Sequence, residues 1–369
     1  MAANGTLASP APPRRRTVTS GDAAAAVHAV LAEPDRLTLM VQPIVDLSEP
    51  KVAGYEVLTR LPTSWGVEPE DFFAAANRLG CSAQVGVLVL TRMQRLRATC
   101  PPSCFLTVNL SPRDLADPDV QAEFGQSWAG VVLELTESAW PDDEAAVLAG
   151  VELAREAGAK IASDDVGAGY AGLLQLVRLR PDLVKVDRGL VSRLGTDPAA
   201  ESVLRSLGEL ASKLDAWLLV EGVETHNQLA IAMRLGVPLA QGWLFGRAAA
   251  PWPDPPELSG VGSLQLASVL TDTVAAFQRH PYPGEVLCDL DGRPVSVQVD
   301  GARVAAMTLA PSTTVSAAVE RALHRPDRSQ RLAPLTVTDA RGQLVGLVDV
   351  EALVLAQSRT HSARTPSAS

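Results

Sequence analysis

The chain has 369 residues, 47% hydrophobic and 20% charged, with a formal net charge of -10. That composition supports a globular fold with a large core and excludes a chain that is disordered throughout. The acidic balance argues against a non-specific binder of nucleic acid or of an anionic membrane, both of which favour basic surfaces.

Residues 1–20 are rich in Ala, Pro, Thr and Ser and contain Arg14-Arg15-Arg16. They read as a disordered leader, because no apolar segment follows the arginines as a signal peptide requires. No apolar stretch is long enough to span a bilayer. Gly21-Asp22 opens a helix over Ala23 to Leu31. Leu37 to Leu47 reads as the first strand and Val52 to Leu58 as the second. Pro69 to Leu79 and Ala83 to Arg97 have helical period. Phe105 to Leu110 is the next strand, and Ser111-Pro112 opens a helix with proline in its first turn. Gly130 to Leu135 is a fourth strand, and Asp142 to Ala157 a helix closed by Gly158. Ala159 to Asp165 is a strand leading into the glycine-rich turn Gly167-Ala168-Gly169 and a helix to Leu179. Asp182 to Val186, Ala216 to Val220 and Val237 to Gln241 complete the strands. Helices over Pro198 to Leu214 and His226 to Leu235 lie between them.

Short apolar runs thus alternate with longer helical segments, the pattern of βα units on a mainly parallel sheet. About eight such units fill residues 21–250, close to the ~250 residues of a closed (β/α)₈ TIM-type barrel. An open doubly wound sheet is the alternative, and the first strand lacks the Gly-x-Gly-x-x-Gly turn that would favour it. Residues 251–263, rich in Pro and Gly, read as a linker. A second, smaller α+β domain is expected over 264–357. Its elements are a helix from Leu264 to Phe277, a hairpin from Glu285 to Val299, a helix from Thr314 to Leu323, a hairpin from Leu335 to Val348 and a closing helix from Val350 to Ala356. Residues 358–369 read as a disordered tail.

The strand ends carry a common chemistry. Glu56, Asn109, Glu134, Asp164 with Asp165, Lys185 with Asp187, Glu221 and Gln241 all fall at the C-terminal ends of predicted strands. In a (β/α)₈ barrel that rim is the active-site face. Adjacent aspartates repel unless cations lie between them. An all-oxygen set suits Mg²⁺ or Mn²⁺ better than zinc, since no His or Cys joins it. The four cysteines (Cys81, Cys100, Cys104 and Cys288) lack metal-site or Cys-x-x-Cys spacing and fit a reducing cytoplasm, the expected location. Two hard cations beside one lysine suit in-line displacement at phosphorus, with Lys185 and a carboxylate to orient a water and take its proton. The set reads as a metal-dependent phosphoesterase.

The same residues carry a family resemblance. Gln42-Pro43-Ile44-Val45, Glu56-Val57-Leu58-Thr59-Arg60, Val108-Asn109-Leu110-Ser111-Pro112, Glu134-Leu135-Thr136-Glu137, Asp164-Asp165-Val166-Gly167-Ala168-Gly169-Tyr170, Lys185-Val186-Asp187, Glu221-Gly222-Val223-Glu224-Thr225 and Gln241-Gly242-Trp243-Leu244-Phe245-Gly246 resemble, in order, the motifs of the EAL-domain family. That family comprises cyclic di-GMP phosphodiesterases and inactive relatives that only bind the dinucleotide. Its fold is a modified (β/α)₈ barrel with one antiparallel strand. The resemblance implies hydrolysis of cyclic di-GMP to linear pGpG by a two-metal site of Mg²⁺ or Mn²⁺, with a cyclic di-GMP receptor as the alternative. It implies that Glu56, Asn109, Glu134 and Asp164 hold one metal. Asp164, Asp165 and Glu221 are implied for the second. Lys185 would position the water, with Glu221 as the candidate base. Glu137 would brace the loop after Asp165. Arg60 would meet a substrate phosphate, while Gln42 and Gln241 fix the ligand. A homodimer is implied through the same loop. Val41, Val57, Val166 and Ala168 depart from the family pattern, the last two within that loop.

Thr308 to Val354 resembles a single CBS repeat, through Ala310-Pro311, Pro334-Leu335-Thr336-Val337-Thr338-Asp339, Gly342, Gly346-Leu347-Val348 and Glu351-Ala352-Leu353. The resemblance implies either a packing or dimerisation module or a sensor of an adenine nucleotide.

Overall fold

Eight apolar runs of period two close into one barrel, in the order β1 to β8 around the ring. In the computed structural model the described residues are 20–47, 50–136, 140–141, 143–166, 171–254, 256–258, 274–289, 292–311, 313–325, 327, 330–339 and 341–364. The strands are β1 (Thr38–Asp46), β2 (Lys51–Arg60), β3 (Phe105–Leu110), β4 (Val131–Leu135), β5 (Lys160–Val166), β6 (Leu183–Val186), β7 (Trp217–Val220) and β8 (Leu239–Gln241). From β2 to β8 every neighbouring pair is parallel, whereas β1 is antiparallel to both β2 and β8. The first two strands are therefore a hairpin and not a βα unit. Only residues 47–50 separate them, and a parallel crossover needs a dozen residues or more.

Helices α2 (Pro69–Arg78), α3 (Ser82–Arg97), α6 (Glu144–Glu156), α7 (Ala171–Leu179), α9 (Pro198–Leu214) and α10 (His226–Arg234) follow the strands, with α1 (Ser20–Ala32) before them and the short α4 (Pro112–Leu115), α5 (Pro118–Ala122) and α8 (Arg188–Val191) between. Thr225 and Gln228 form a reciprocal capping box at the start of α10, each side chain satisfying a backbone N–H of the other.

Period two sorts each strand into an outer and an inner face. Leu133 and Ile161 pack outward with Val147 and Val151 of α6. Val184, Leu218, Val220 and Ala240 pack outward with Leu204 of α9 and Leu229 of α10. Val132, Ala162, Leu183, Leu219 and Leu239 point inward and form one apolar layer across the barrel with Ile44, Phe105 and Trp217. Two residues beyond those inward positions stand Glu134, Asp164, Lys185, Glu221 and Gln241. The packing that closes the barrel thus delivers the polar set to its mouth.

The C-terminal elements lie at the opposite end. Strands β9 (Val286–Cys288), β10 (Pro294–Val299) and β11 (Ala302–Ala305) form one antiparallel sheet. Strands β12 (Thr308–Leu309), β13 (Leu335–Thr338) and β14 (Leu344–Val348) form a second, with β12 parallel and β14 antiparallel to β13. Helices α11 (Val315–Leu323) and α12 (Val350–Arg364) cover the second sheet through Val315, Ala318, Val319 and Leu353. Both expected hairpins are present. Strands β11 and β12 were not expected. Of the helix expected over 264–277, residues 264–273 lie outside those described and Val274–Phe277 form a 3₁₀ turn. The last helix continues to Arg364, so the segment expected to be a disordered tail is helical at its start.

Ala310 ties these elements to the barrel. It packs with Phe105, Leu183 and Trp217 in the inner layer and closes the floor. Arg321 of α11 makes a two-pronged ion pair with Asp215, at 2.6 and 2.9 Å, just before β7. The backbone N–H of Thr314 donates to Ser212 Oγ of α9 at 3.1 Å.

Candidate functional site

Lys185 stands at the centre of the mouth, 1% exposed. Its ammonium lies 2.7 Å from Glu134, 2.7 Å from Glu221, 2.9 Å from Asp164 and 3.6 Å from Glu56. Around Glu56, Asn109 Nδ2 donates to Oε1 at 3.3 Å and Gln241 Nε2 to Oε2 at 2.5 Å. Gln241 Nε2 also donates to Gln42 Oε1 at 3.1 Å, and Gln42 Nε2 to the carbonyl of Gly246 at 2.9 Å. Seven strands thus contribute directly to one connected cluster, and β7 joins it through Glu221, the residue after its end.

One cation cannot balance these carboxylates, and burial shifts the groups accordingly. Glu134 is wholly buried; loss of water raises its pKa well above the usual carboxylate value, against the pull of Lys185. Burial likewise pushes Glu221 up to about 7, opposed by Lys185 and reinforced by Asp164 and Glu56. For Lys185, burial pulls downward, but Glu134, Glu221, Glu56 and Asp164 together hold the ammonium well above its ordinary value.

The paired aspartates need a further device, because consecutive strand residues normally face opposite ways. The β5–β6 register shifts between Ser163 and Val166, and Asp165 takes φ of 55°. This bulge turns both carboxylates to one side. Oxygens of Asp164, Asp165 and Glu221 come within 4.8 Å of one another.

Other expected positions fall differently. Arg60 lies at the end of β2, past Glu56, and donates to the carbonyl of Thr59 at 2.8 Å. Asp187 caps α8, accepting from Gly189 N–H at 2.9 Å, and so serves the helix and not the cluster. Glu137, Gly167, Ala168, Gly169 and Tyr170 lie outside the described residues. Val166, which departs from the family pattern, is fully buried among Val184, Val186 and Val220. The strand-end reading missed a rim group formed by Trp243, Arg188 and Arg247. Trp243 is 49% exposed. The guanidinium of Arg247 lies 3.8 Å and that of Arg188 5.1 Å from its ring centre, and Arg188 also pairs with Glu224 at 2.6 Å. The available signal was position: Arg188 and Trp243 each follow a strand-end polar residue within three positions.

The family model described as EAL domain matches residues 24–248. The chain belongs to the EAL domain family. Similar proteins include the probable cyclic di-GMP phosphodiesterase PdeA of Escherichia coli K12, 30% identical over 223 residues, covering 57% of this chain and 30% of that protein. A protein of Azorhizobium caulinodans is 31% identical over 229 residues, covering 58% and 31% respectively. The chain thus spans less than a third of the length of these relatives. Among solved structures, the PaMucR phosphodiesterase in complex with c-di-GMP has a TM-score of 0.55 and 29% identity, covering 62% of this chain and 98% of that one. Klebsiella pneumoniae BlrP1, in a manganese and cyclic di-GMP complex, has a TM-score of 0.52 and 28% identity, covering 58% and 56%.

The EAL cluster of this chain fits hard divalent cations on its own chemistry. Its donors are all oxygens. Glu134 Oε1 and Gln241 Oε1 are buried with no hydrogen-bond partner among the described residues. Such orphaned acceptors are costly unless a cation or donor meets them.

Proposed function

We propose that this chain is a metal-dependent phosphodiesterase that hydrolyses cyclic di-GMP to linear pGpG. The observation that carries the reading is the convergence of Glu56, Asn109, Glu134, Asp164, Asp165 and Glu221 around Lys185 at the mouth of the barrel. Family membership and the cyclic di-GMP complexes of similar proteins support the substrate.

Glu56, Asn109, Glu134 and Asp164 would hold one cation, and Asp164, Asp165 and Glu221 a second. When bound, Mg²⁺ or Mn²⁺ would shield the phosphate charge and acidify the attacking water. Lys185, fixed by Glu134, orients that water toward phosphorus. Glu221 is the candidate base that accepts a proton from it. The new P–O bond forms as the P–O3′ bond breaks, leaving a 5′-phosphate and a 3′-hydroxyl on the linear product. Arg60 would meet a substrate phosphate, Gln42 and Gln241 would steady the ligand, and Glu137 is the residue proposed to brace the loop after Asp165.

The expected result is release of pGpG from cyclic di-GMP with Mg²⁺ or Mn²⁺, measured by chromatography. Glu56→Ala should lower the rate by at least about a hundredfold, the loss of a metal ligand. No turnover with either metal between pH 6 and 9 would overturn the assignment. A second reading, a receptor that binds cyclic di-GMP without cleaving it, is favoured by Val166 and Ala168, which depart from the family pattern. Tight binding in EDTA with no turnover on metal addition would select it.

The proposed division is a barrel over 21–250 and a second unit over 264–357. The order β12–α11–β13–β14–α12 supports a single CBS-like unit for packing, dimerisation or adenine-nucleotide binding. All four cysteines are free thiols, which supports a cytoplasmic setting. Among the described residues no helix is long and apolar enough to cross a membrane.

A further inference from the structure

We propose that the cavity between the barrel floor and the C-terminal elements binds a small organic phosphate, with its phosphate group seated between Lys160 and Arg293. The cavity has a volume of about 290 Å³. That is near the lower bound of small-molecule sites and larger than one inorganic ion requires. Lys160, Asp182 and Trp217 supply the barrel wall; Arg293, Thr308 and Gly342 supply the opposite one.

Lys160 and Arg293 are two uncommitted cations of the cavity. Among the described residues, neither the Lys160 ammonium nor the Arg293 guanidinium makes a hydrogen bond or an ion pair. The neighbouring carboxylates are engaged elsewhere. Asp182 Oδ2 accepts from Ile161 N–H at 2.9 Å, and Asp339 Oδ1 from the N–H groups of Arg341 and Gln343 at 2.9 Å. Asp215 is held in the two-pronged pair with Arg321. Arg155 donates to the carbonyls of Leu179 and Arg180. Burial lowers the proton affinity of Lys160; Asp182 and Asp339 favour its charge and Arg293 opposes it. A dianion between the two cations would relieve that repulsion.

The geometry brings both within reach of one group. A side-chain carbon built on Gly342 would lie 3.7 Å from Lys160 Nζ and 3.8 Å from Arg293 Nε. Glycine leaves that point open, at a backbone φ of 82° that disfavours any other residue. A phosphate monoester matches it with several acceptor oxygens, and a guanidinium can bind two of them at once. Trp217, Leu309 and Ala310 offer apolar surface for the organic part.

The cavity also lies at the foot of β5, β6 and β7, the strands that lead to Asp164 with Asp165, Lys185 and Glu221 at the mouth. A ligand there would bridge the C-terminal elements and the strands of the rim cluster. The binding inference does not depend on the activity proposed for that cluster.

The test is titration calorimetry on the full chain, in EDTA at constant ionic strength, with inorganic phosphate, AMP, glucose 6-phosphate and adenosine. At least one organic phosphate should bind saturably, and adenosine should not. Lys160→Met and Arg293→Gln should each weaken binding at least about tenfold, an effect readable above error. The rim variant Glu56→Gln should keep it, and Arg293→Lys, which retains the charge but not the two-pronged donor, should weaken binding less than Arg293→Gln. Circular dichroism melts identify any variant that loses binding by unfolding, and Arg293→Gln then serves in place of Lys160→Met. The proposal is overturned if no organic phosphate binds, if adenosine binds as well as AMP, or if folded Lys160 and Arg293 variants bind like the parent. Loss of binding only in Glu56→Gln would place the ligand at the mouth and overturn it as well.

Discussion

Lys185 is one cation facing Glu56, Glu134, Asp164 and Glu221, and this imbalance sets how the site responds to pH and to metal. Glu221 titrates near 7 in the folded protein, above its ordinary value of 4.5. The folded state therefore keeps a proton that the unfolded chain releases. That contribution to stability is fully present below the unfolded value and is lost as pH rises through about 7. Glu134 shifts in the same direction. In EDTA, the unfolding free energy should fall by roughly 3 kcal/mol between pH 5 and 8, read from urea melts. A flat profile would mean that these carboxylates stay ionised without metal. Millimolar Mn²⁺ or Mg²⁺ should raise the melting temperature at pH 8, because cations bind the folded cluster and not the unfolded chain. Asp164→Asn should remove most of that gain, since Asp164 is proposed to serve both cations. A melting temperature that does not respond to either metal would argue against a metal site.

At the scale of the element, β2 and β3 approach so closely that only glycine fits at position 54. A side-chain carbon there would sit 2.6 Å from the Phe105 carbonyl oxygen and 2.7 Å from its ring. Gly54→Ala should therefore cost about 1–3 kcal/mol in a urea melt, the usual range for overpacking. Glu56 stands two residues further along the same strand, so the strain should also weaken the melting-temperature gain with Mn²⁺. A variant as stable as the parent would show that Phe105 can move aside. The bulge in β5 acts in the opposite sense: it departs from regular pairing and thereby brings two adjacent carboxylates to one side.

At the scale of the whole molecule, the C-terminal elements close the end of the barrel opposite the mouth. Ala310 enters the inner layer beside Phe105, Leu183 and Trp217, and Arg321 reaches Asp215. A double-mutant cycle of Arg321→Ala and Asp215→Ala should give a coupling of about 1 kcal/mol, since both side chains remain partly exposed and solvent screens the pair. Additive effects would mean that Ala310 and its apolar neighbours hold the seam without help from the ion pair. The family match ends at residue 248, before the C-terminal side of this seam begins.

The sequence by itself determined the strands and the residues they carry to the mouth. Both follow from local rules: a period of two marks the buried strand, and the last inward position places a side chain at the rim. Glu56, Asn109, Glu134, Asp164, Lys185, Glu221 and Gln241 were legible for that reason, as was the preference of an all-oxygen set for hard cations. Strand direction was less so, because periodicity is the same for parallel and antiparallel pairing, and only the short β1–β2 connection betrays the hairpin. The bulge that joins Asp165 to Asp164 and Glu221 depends on register against β6, a neighbour remote in the chain. The stacking of Arg188 and Arg247 on Trp243 unites the start of α8, after β6, with the loop after β8. The cavity at Lys160 and Arg293 joins residues more than a hundred positions apart. Such features are set by how separate elements meet, and only the tertiary structure decided them.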